Sequence, residues 1–349
     1  MKKNKVITVR ESQFELLRII AQWMIVFFHL FLMFTKEYQT DHPIYQGIQI
    51  PLHIGVILFV LISGYFGIKS SFKGLVRILV MTAVYCVPIA IITDISIGRG
   101  GGKSLIMNLL FVSYTPYWFV RTYLYLYLLS PMLNKYLRDI SLIQRIFLIS
   151  VLTYMAIWMG TIQCDGSLAG GKNVINFFLI YTIGNTLRTY QNKWKDVSIA
   201  KILSSYILLN ILLVSLWMCF RNGIVGEGIM RISFWYCSPL LYVNAILLFM
   251  VFGRMKFTSK HINYCASSVF AIYLLHCQPY ILNNIISKGA YAILNLTDAK
   301  ELQTIVLFAV YATTIVVVSI MIDKLLTLFW KIVSDLTSKI EERTQLFFD

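Results

Sequence analysis

Apolar residues gather into runs of about twenty along this chain, separated by short polar stretches. Ten such runs stand out, at residues 14–34, 50–68, 75–95, 117–133, 143–158, 174–187, 199–220, 233–252, 265–286 and 302–330. A hydrocarbon core about 30 Å thick needs about twenty helical residues to cross it. Lipid offers no hydrogen-bond partners to the backbone, so the runs predict helices and not open strands. The pattern therefore predicts an all-α polytopic membrane protein with about ten transmembrane helices. Residues 105–112 are apolar but too few to span, and read as a re-entrant piece or part of a loop. The last run exceeds what a bilayer requires, so its inner end is expected to tilt or to enter water. Loops are short. One membrane domain over residues 1–349 is predicted, with a basic cytosolic stretch at 1–13, a cytosolic tail at 332–349 and no fused soluble domain.

Charge fixes an orientation. Of the 31 Lys and Arg, 21 fall on inner segments and eight on outer ones when the N-terminus is placed in the cytosol; Arg18 and Arg121 lie within spans. The reverse orientation violates the positive-inside rule. An even number of spans then puts both termini in the cytosol. The hydrophobic fraction is 58% and the charged fraction only 13%, more apolar surface than one soluble core hides. The net charge of +15 fits topology and contact with anionic headgroups of the lipid bilayer. The basic residues are scattered through loops, which argues against nucleic acid as a partner. Six cysteines show no C-x-x-C pair and mostly sit in apolar runs, so neither a disulfide framework nor a metal site is predicted. The first apolar run is long and lacks a small-residue cleavage site, so it reads as a retained helix. No internal repeat is evident, which weighs against an inverted-repeat transporter.

Ionisable groups within a bilayer are costly and ask for a reason. The first run holds Glu15, Arg18 and His29. Eleven residues separate Arg18 from His29. At 100° per residue that is three turns plus about 20°, so both share one helix face, about 16 Å apart along the axis. Glu15, three residues before Arg18, can pair with it. An Arg near the cytosol suits a phosphate, because its guanidinium binds oxyanions in a fork and keeps its charge. A neutral His takes a proton from a hydroxyl near neutral pH. The alternative is an Arg snorkelling to the headgroups and a His packed between helices.

Other positions are less telling. Ser63-Gly64 reads as a small-residue contact between helices. His53, at the outer end of its run, reads as solvated. Lys69, Lys73 and Arg77 are either simple topology or a basic lip for phosphates. Tyr117 and Trp118 fit an outer aromatic belt, with Arg121 one turn deeper, snorkelling outward or facing a cavity. His276 lies near mid-membrane as a packed His or a functional one. Asp323, followed by Lys324, reads as lying near the cytosolic surface.

Together these residues resemble the acyltransferase 3 family of bacterial integral-membrane O-acyltransferases. The family's first helix carries an acid, an Arg, ten residues and a His, as Glu15, Arg18 and His29 do here. Its second-helix pattern is matched by Gly55, Val56, Phe59, Ser63 and Gly64, its fourth by Trp118, Tyr127, Leu128 and Pro131, and its ninth by Ser268, Ile272, Tyr273, Leu274 and His276. The chain departs at the paired basic motif after the second helix, where Lys73 and Arg77 are spaced by three residues, and at Val60, where many members have Phe. Where some branches have a Glu after the Trp, this chain has Arg121-Thr122-Tyr123. The resemblance implies an inner-membrane enzyme that moves an acyl group, commonly acetyl, from cytosolic acetyl-CoA to a sugar hydroxyl of a cell-surface glycan or its lipid-linked precursor. On this reading His29, Arg18 and Glu15 are the catalytic set. Arg18, Lys73, Arg77 and Ser63 bind the donor, and Trp118, Arg121, Tyr273 and His276 are further candidates. No tightly bound cofactor is implied. A polysaccharide or lipid-linked oligosaccharide transporter or polymerase is the main alternative, and homo-oligomerisation is left open.

Overall fold

The computed structural model describes residues 11–37, 42–98, 117–298 and 300–344. The expectations for residues 1–10 and 105–112 and for the end of the tail lie outside these. The described residues form helices and no strands. The first helix, α1, spans Ser12–Glu37. The second apolar run splits into α2, Pro43–Leu52, and α3, Gly55–Phe66. Pro51 sits in the last turn of α2, where its missing N–H and ring favour the break that follows. Next come α4, Phe72–Ser96, α5, Trp118–Asp139, and α6, Leu142–Thr153, which runs on as a wide-turn π segment, Tyr154–Ile162. They are followed by α7, Val174–Thr189, α8, Ile199–Phe220, α9, Gly226–Phe234, and α10, Pro239–Arg254. The last third holds α11, Lys260–Ala266, α12, Val269–His276, α13, Ser287–Thr297, α14, Glu301–Leu325, and α15, Thr327–Thr344.

Seven helical stretches among the described residues are long and apolar enough to cross a membrane, or eight if one bent pair counts as a span. The chain is a multi-pass membrane protein, but the expected ten is not reached. The 16 residues of α7 extend only about 24 Å, short of the hydrocarbon thickness. Helix α5 carries Arg121, Lys135, Arg138 and Asp139, which dilute its apolar character. The ninth run is not straight. Lys260–His276 and Ile281–Thr297 meet at 80°, with Pro279 in the break. The tenth run is also divided, between α14 and α15.

Backbone contact at glycines sets the centre of the bundle. A Cβ on Gly64 of α3 would lie 2.1 Å from the carbonyl oxygen of Tyr181, and one on Gly184 of α7 would lie 2.3 Å from that of Leu61. These two helices therefore touch main chain to main chain, the close approach expected of Gly64. Outside, Leu208 and Ile211 of α8 and Val306 and Val310 of α14 are exposed, as lipid-facing surfaces require.

Two polar knots tie helices together. Asp323 is buried, not superficial as expected, because α15 folds back over it. Its carboxylate accepts from Tyr85 at 2.6 Å, Ser268 at 2.6 Å and the Trp330 indole at 3.1 Å, joining α4, the start of α12, α14 and α15. Buried Arg145 donates to the Leu137 carbonyl at 2.5 Å and to Asn185 at 2.7 Å. At the start of α1, Ser12 Oγ accepts from the Ser259 amide at 2.8 Å and bonds Asn263 at 2.9 Å, which sets the register of α1 against α11.

Candidate functional site

Helix α1 is apolar except on one face. Glu15, Arg18, Gln22, Ile25 and His29 recur every three or four residues, so they form a single stripe. All five line one cavity of about 690 Å³. The opposite walls are Phe59 and Ser63 of α3, Arg77 and Met81 of α4, Trp118, Phe119, Tyr123 and Tyr127 of α5, and Phe270 and Tyr273 of α12. Tyr236, Cys277 and Asn283 also contribute. The volume is that of a small-molecule site, apolar with a few convergent polar groups.

At the end nearer the start of α1, Arg18 is paired with Glu15 at 2.6 Å, and Arg77 lies on the same wall system. Further along, Ser63 Oγ donates to the Phe59 carbonyl at 2.9 Å and lies 3.3 Å from the Tyr123 hydroxyl. Two buried polar atoms in the lining, Gln22 Nε2 and the Tyr273 hydroxyl, have no hydrogen-bond partner among the described residues. Burying such a group without a partner costs about 1–3 kcal/mol, and both residues line the cavity.

At the deeper end stands His29. Its Nδ1 is 3.1 Å from Nε2 of His276. The other nitrogen of His276, Nδ1, is 2.7 Å from the Ile272 carbonyl oxygen. A carbonyl only accepts, so in the neutral pair His276 carries its proton on Nδ1. Its Nε2 then takes its hydrogen bond from the stronger donor, His29 Nδ1–H at 3.1 Å, over the Cys277 thiol at 3.3 Å. The chain of bonds leaves Nε2 of His29 as the proton-accepting nitrogen. His276 is buried and stands behind His29 rather than in the lining.

Beyond His29 the rings close up. Trp118 and Tyr236 centroids are 5.3 Å apart, and His53 stacks on Tyr236 at 4.3 Å with 19° between planes. His53 is therefore not solvated. It is buried at the turn between α2 and α3, also edge-on to Phe28 at 4.9 Å. Neither ring nitrogen has a partner among the described residues.

The structure thus brings together Glu15, Arg18, His29, Ser63, Arg77, Trp118 and Tyr273, with His276 one layer behind. It leaves two expected residues out. Lys73 Nζ donates to Ser338 Oγ at 2.9 Å, holding α15 against α4, and does not line the cavity. Arg121 is about 160° around α5 from Tyr123 and also lies outside the lining. Gln22 was missed, although its place on the Arg18–His29 stripe could have found it. Tyr127 carries the fourth-helix family pattern, whereas Tyr123 and Tyr236 had no such signal, because aromatic residues are common in every helix here.

Comparison with known families finds the acyltransferase domain matching residues 11–324. That stretch includes the whole cavity lining. Neither curated proteins nor solved structures give a match.

Proposed function

The chain belongs to the acyltransferase 3 family and is a membrane acyltransferase. From that premise we propose that it moves an acetyl or similar acyl group from cytosolic acyl-CoA to a sugar hydroxyl. The acceptor is a cell-surface polysaccharide or its lipid-linked precursor, and the site of action is the bacterial cytoplasmic membrane. The observation that carries this reading is one continuous cavity lined by Arg18, Arg77 and His29, with His29 about 16 Å beyond Arg18 along α1. The anionic CoA body meets the guanidinium groups, and its long arm lies along the α1 stripe. Gln22 Nε2, with its unused donor, meets an amide oxygen of that arm.

The chemistry follows from the histidine pair. Nε2 of His29 takes the proton of the acceptor hydroxyl as its oxygen bonds to the thioester carbonyl carbon. The carbonyl oxygen becomes an oxyanion, to which the Tyr273 hydroxyl donates. The intermediate collapses, the carbon–sulfur bond breaks, and the CoA thiolate leaves. It recovers the proton from His29. His276 holds the productive tautomer throughout. Transient acylation of His29 is the competing route; rapid quenching with radiolabelled acetyl-CoA and no acceptor separates the two, since only that route labels the protein.

The test is acyl transfer by protein in nanodiscs, followed as free thiol released from acetyl-CoA in the presence of host glycan. His29→Ala is expected to abolish transfer while the protein still elutes and melts like the parent. Full transfer by that variant removes His29 from the reaction. Arg18→Ala is expected to weaken donor affinity, and unchanged affinity and turnover removes Arg18.

A further inference from the structure

Three soft or borderline ligand atoms converge at the deep end of the cavity. They are Nδ1 of His29, Nε2 of His276 and Sγ of Cys277, all within 4.8 Å of one another. Nε2 of His276 is 3.1 Å from the first and 3.3 Å from the sulfur. That nitrogen has one lone pair and two neighbours competing for it. A single cation replacing their protons would use all three atoms at once.

Two of the three spacings approach those around such an ion. In a tetrahedral zinc site, bonds of about 2.0–2.1 Å to nitrogen and about 2.3 Å to sulfur place ligand nitrogens about 3.4 Å apart and nitrogen and sulfur about 3.6 Å apart. Two of the three separations here fall short by about 0.3 Å; the third, between His29 and Sγ of Cys277, lies within 4.8 Å and closes by up to about 1.2 Å when the Cys277 side chain turns toward the ion. Metal-bound histidines usually give their other N–H to a carbonyl, as His276 does to Ile272 at 2.7 Å. His29 and Cys277 both line the cavity, so the fourth position faces open space, as in sites with three protein ligands and one exchangeable one. Nothing in the sequence marks the set, since 247 residues separate the two histidines.

We propose that His29, His276 and Cys277 form a binding site for a soft divalent cation such as Zn²⁺, and that its occupancy switches acyl transfer off. The regulatory half rests on His29 acting as the base. A cation on Nδ1 moves the imidazole proton to Nε2, and a protonated Nε2 cannot accept one from a hydroxyl. The cation also displaces the thiol proton of Cys277 to solvent, since the thiolate is the ligand. Base and metal site are therefore alternative states of one imidazole.

The test uses full-length protein in detergent, first with Co²⁺ and no substrate. One Co²⁺ per chain with a thiolate-to-cobalt charge-transfer band is expected, and Zn²⁺ should displace it. Cys277→Ser should remove the band and weaken binding at least tenfold, with its thermal melt checked against the parent. In the transfer assay Zn²⁺ should inhibit reversibly, a chelator should restore the rate, and Cys277→Ser should need at least tenfold more Zn²⁺ relative to its own metal-free rate. No band in folded protein, or an equal band in Cys277→Ser, overturns the site. Equal zinc sensitivity of the two chains overturns the switch. The spectrum is read without turnover, so a His29→Ala chain that still transfers acyl groups would sink the base assignment without deciding the metal site.

Discussion

The proton position on one ring decides what His29 can do. It depends on a bond that starts at a carbonyl, Ile272, and passes through His276. His276→Ala should therefore lower kcat by about 10²-fold while leaving the acyl-CoA KM near the parent value, the split expected of a group that orients a base. A parallel loss of donor affinity would argue for collapse of the cavity instead. Tyr273→Phe removes only a hydroxyl that has no protein partner among the described residues. Loss of one oxyanion donor costs about 10²–10³ in kcat, and steady-state kinetics on this variant measures it. The two cases differ in legibility. The Arg18–His29 stripe could be read from sequence because helical periodicity is local. The partner of His29 could not, because contacts between positions 29 and 276 depend on how α1 packs beside α12. The place of Lys73 is illegible for a related reason: a basic residue reads alike whether it faces a phosphate or holds a neighbouring helix, as Lys73 does through Ser338.

Helices here are positioned by the removal of side chains as much as by their presence. Main chain meets main chain where α3 crosses α7, so Gly64→Ala has no room: its new methyl would overlap the Tyr181 carbonyl. A cost of about 1–3 kcal/mol is expected, read as an earlier thermal unfolding transition in detergent. Because Ser63 neighbours it on the cavity wall, the same substitution should reduce transfer as well. The sequence made this contact readable from two small adjacent residues. It did not reveal the splitting of three apolar runs, at His53, at Pro279 and at Leu326, since each run continues apolar on both sides of its break. Asp323 shows the same limit: beside Lys324 it reads as a surface pair, but a helix that returns along α4 covers it. Asp323→Leu should leave three donors unanswered and destabilise the protein by several kcal/mol, at about 1–3 kcal/mol for each buried group.

For the whole molecule, the charge count of 21 inner against eight outer basic residues makes a directional prediction. Asp165 follows the π segment after α6, and Asp196 precedes α8. In a chain whose six native cysteines are replaced by Ser, an impermeant maleimide added to intact cells should label Asp165→Cys and spare Asp196→Cys until the membrane is opened. The opposite pattern would invert the molecule and put Arg18 at the outer mouth. On the predicted orientation the cavity is filled from the cytosol and reaches about 16 Å along α1 to His29. An aqueous recess of that depth shorts out part of the bilayer. The membrane potential, about 2.3 kcal/mol per unit charge at 100 mV, then falls mainly across the thin layer beyond His29. That layer begins at the Trp118 and Tyr236 rings of the cavity wall, with His53 stacked on Tyr236 behind them. On that orientation these rings would act as electrical insulation against a proton leak through the enzyme. Replacing Trp118 with Gly should open a proton conductance, visible as faster collapse of an imposed pH gradient in sealed vesicles.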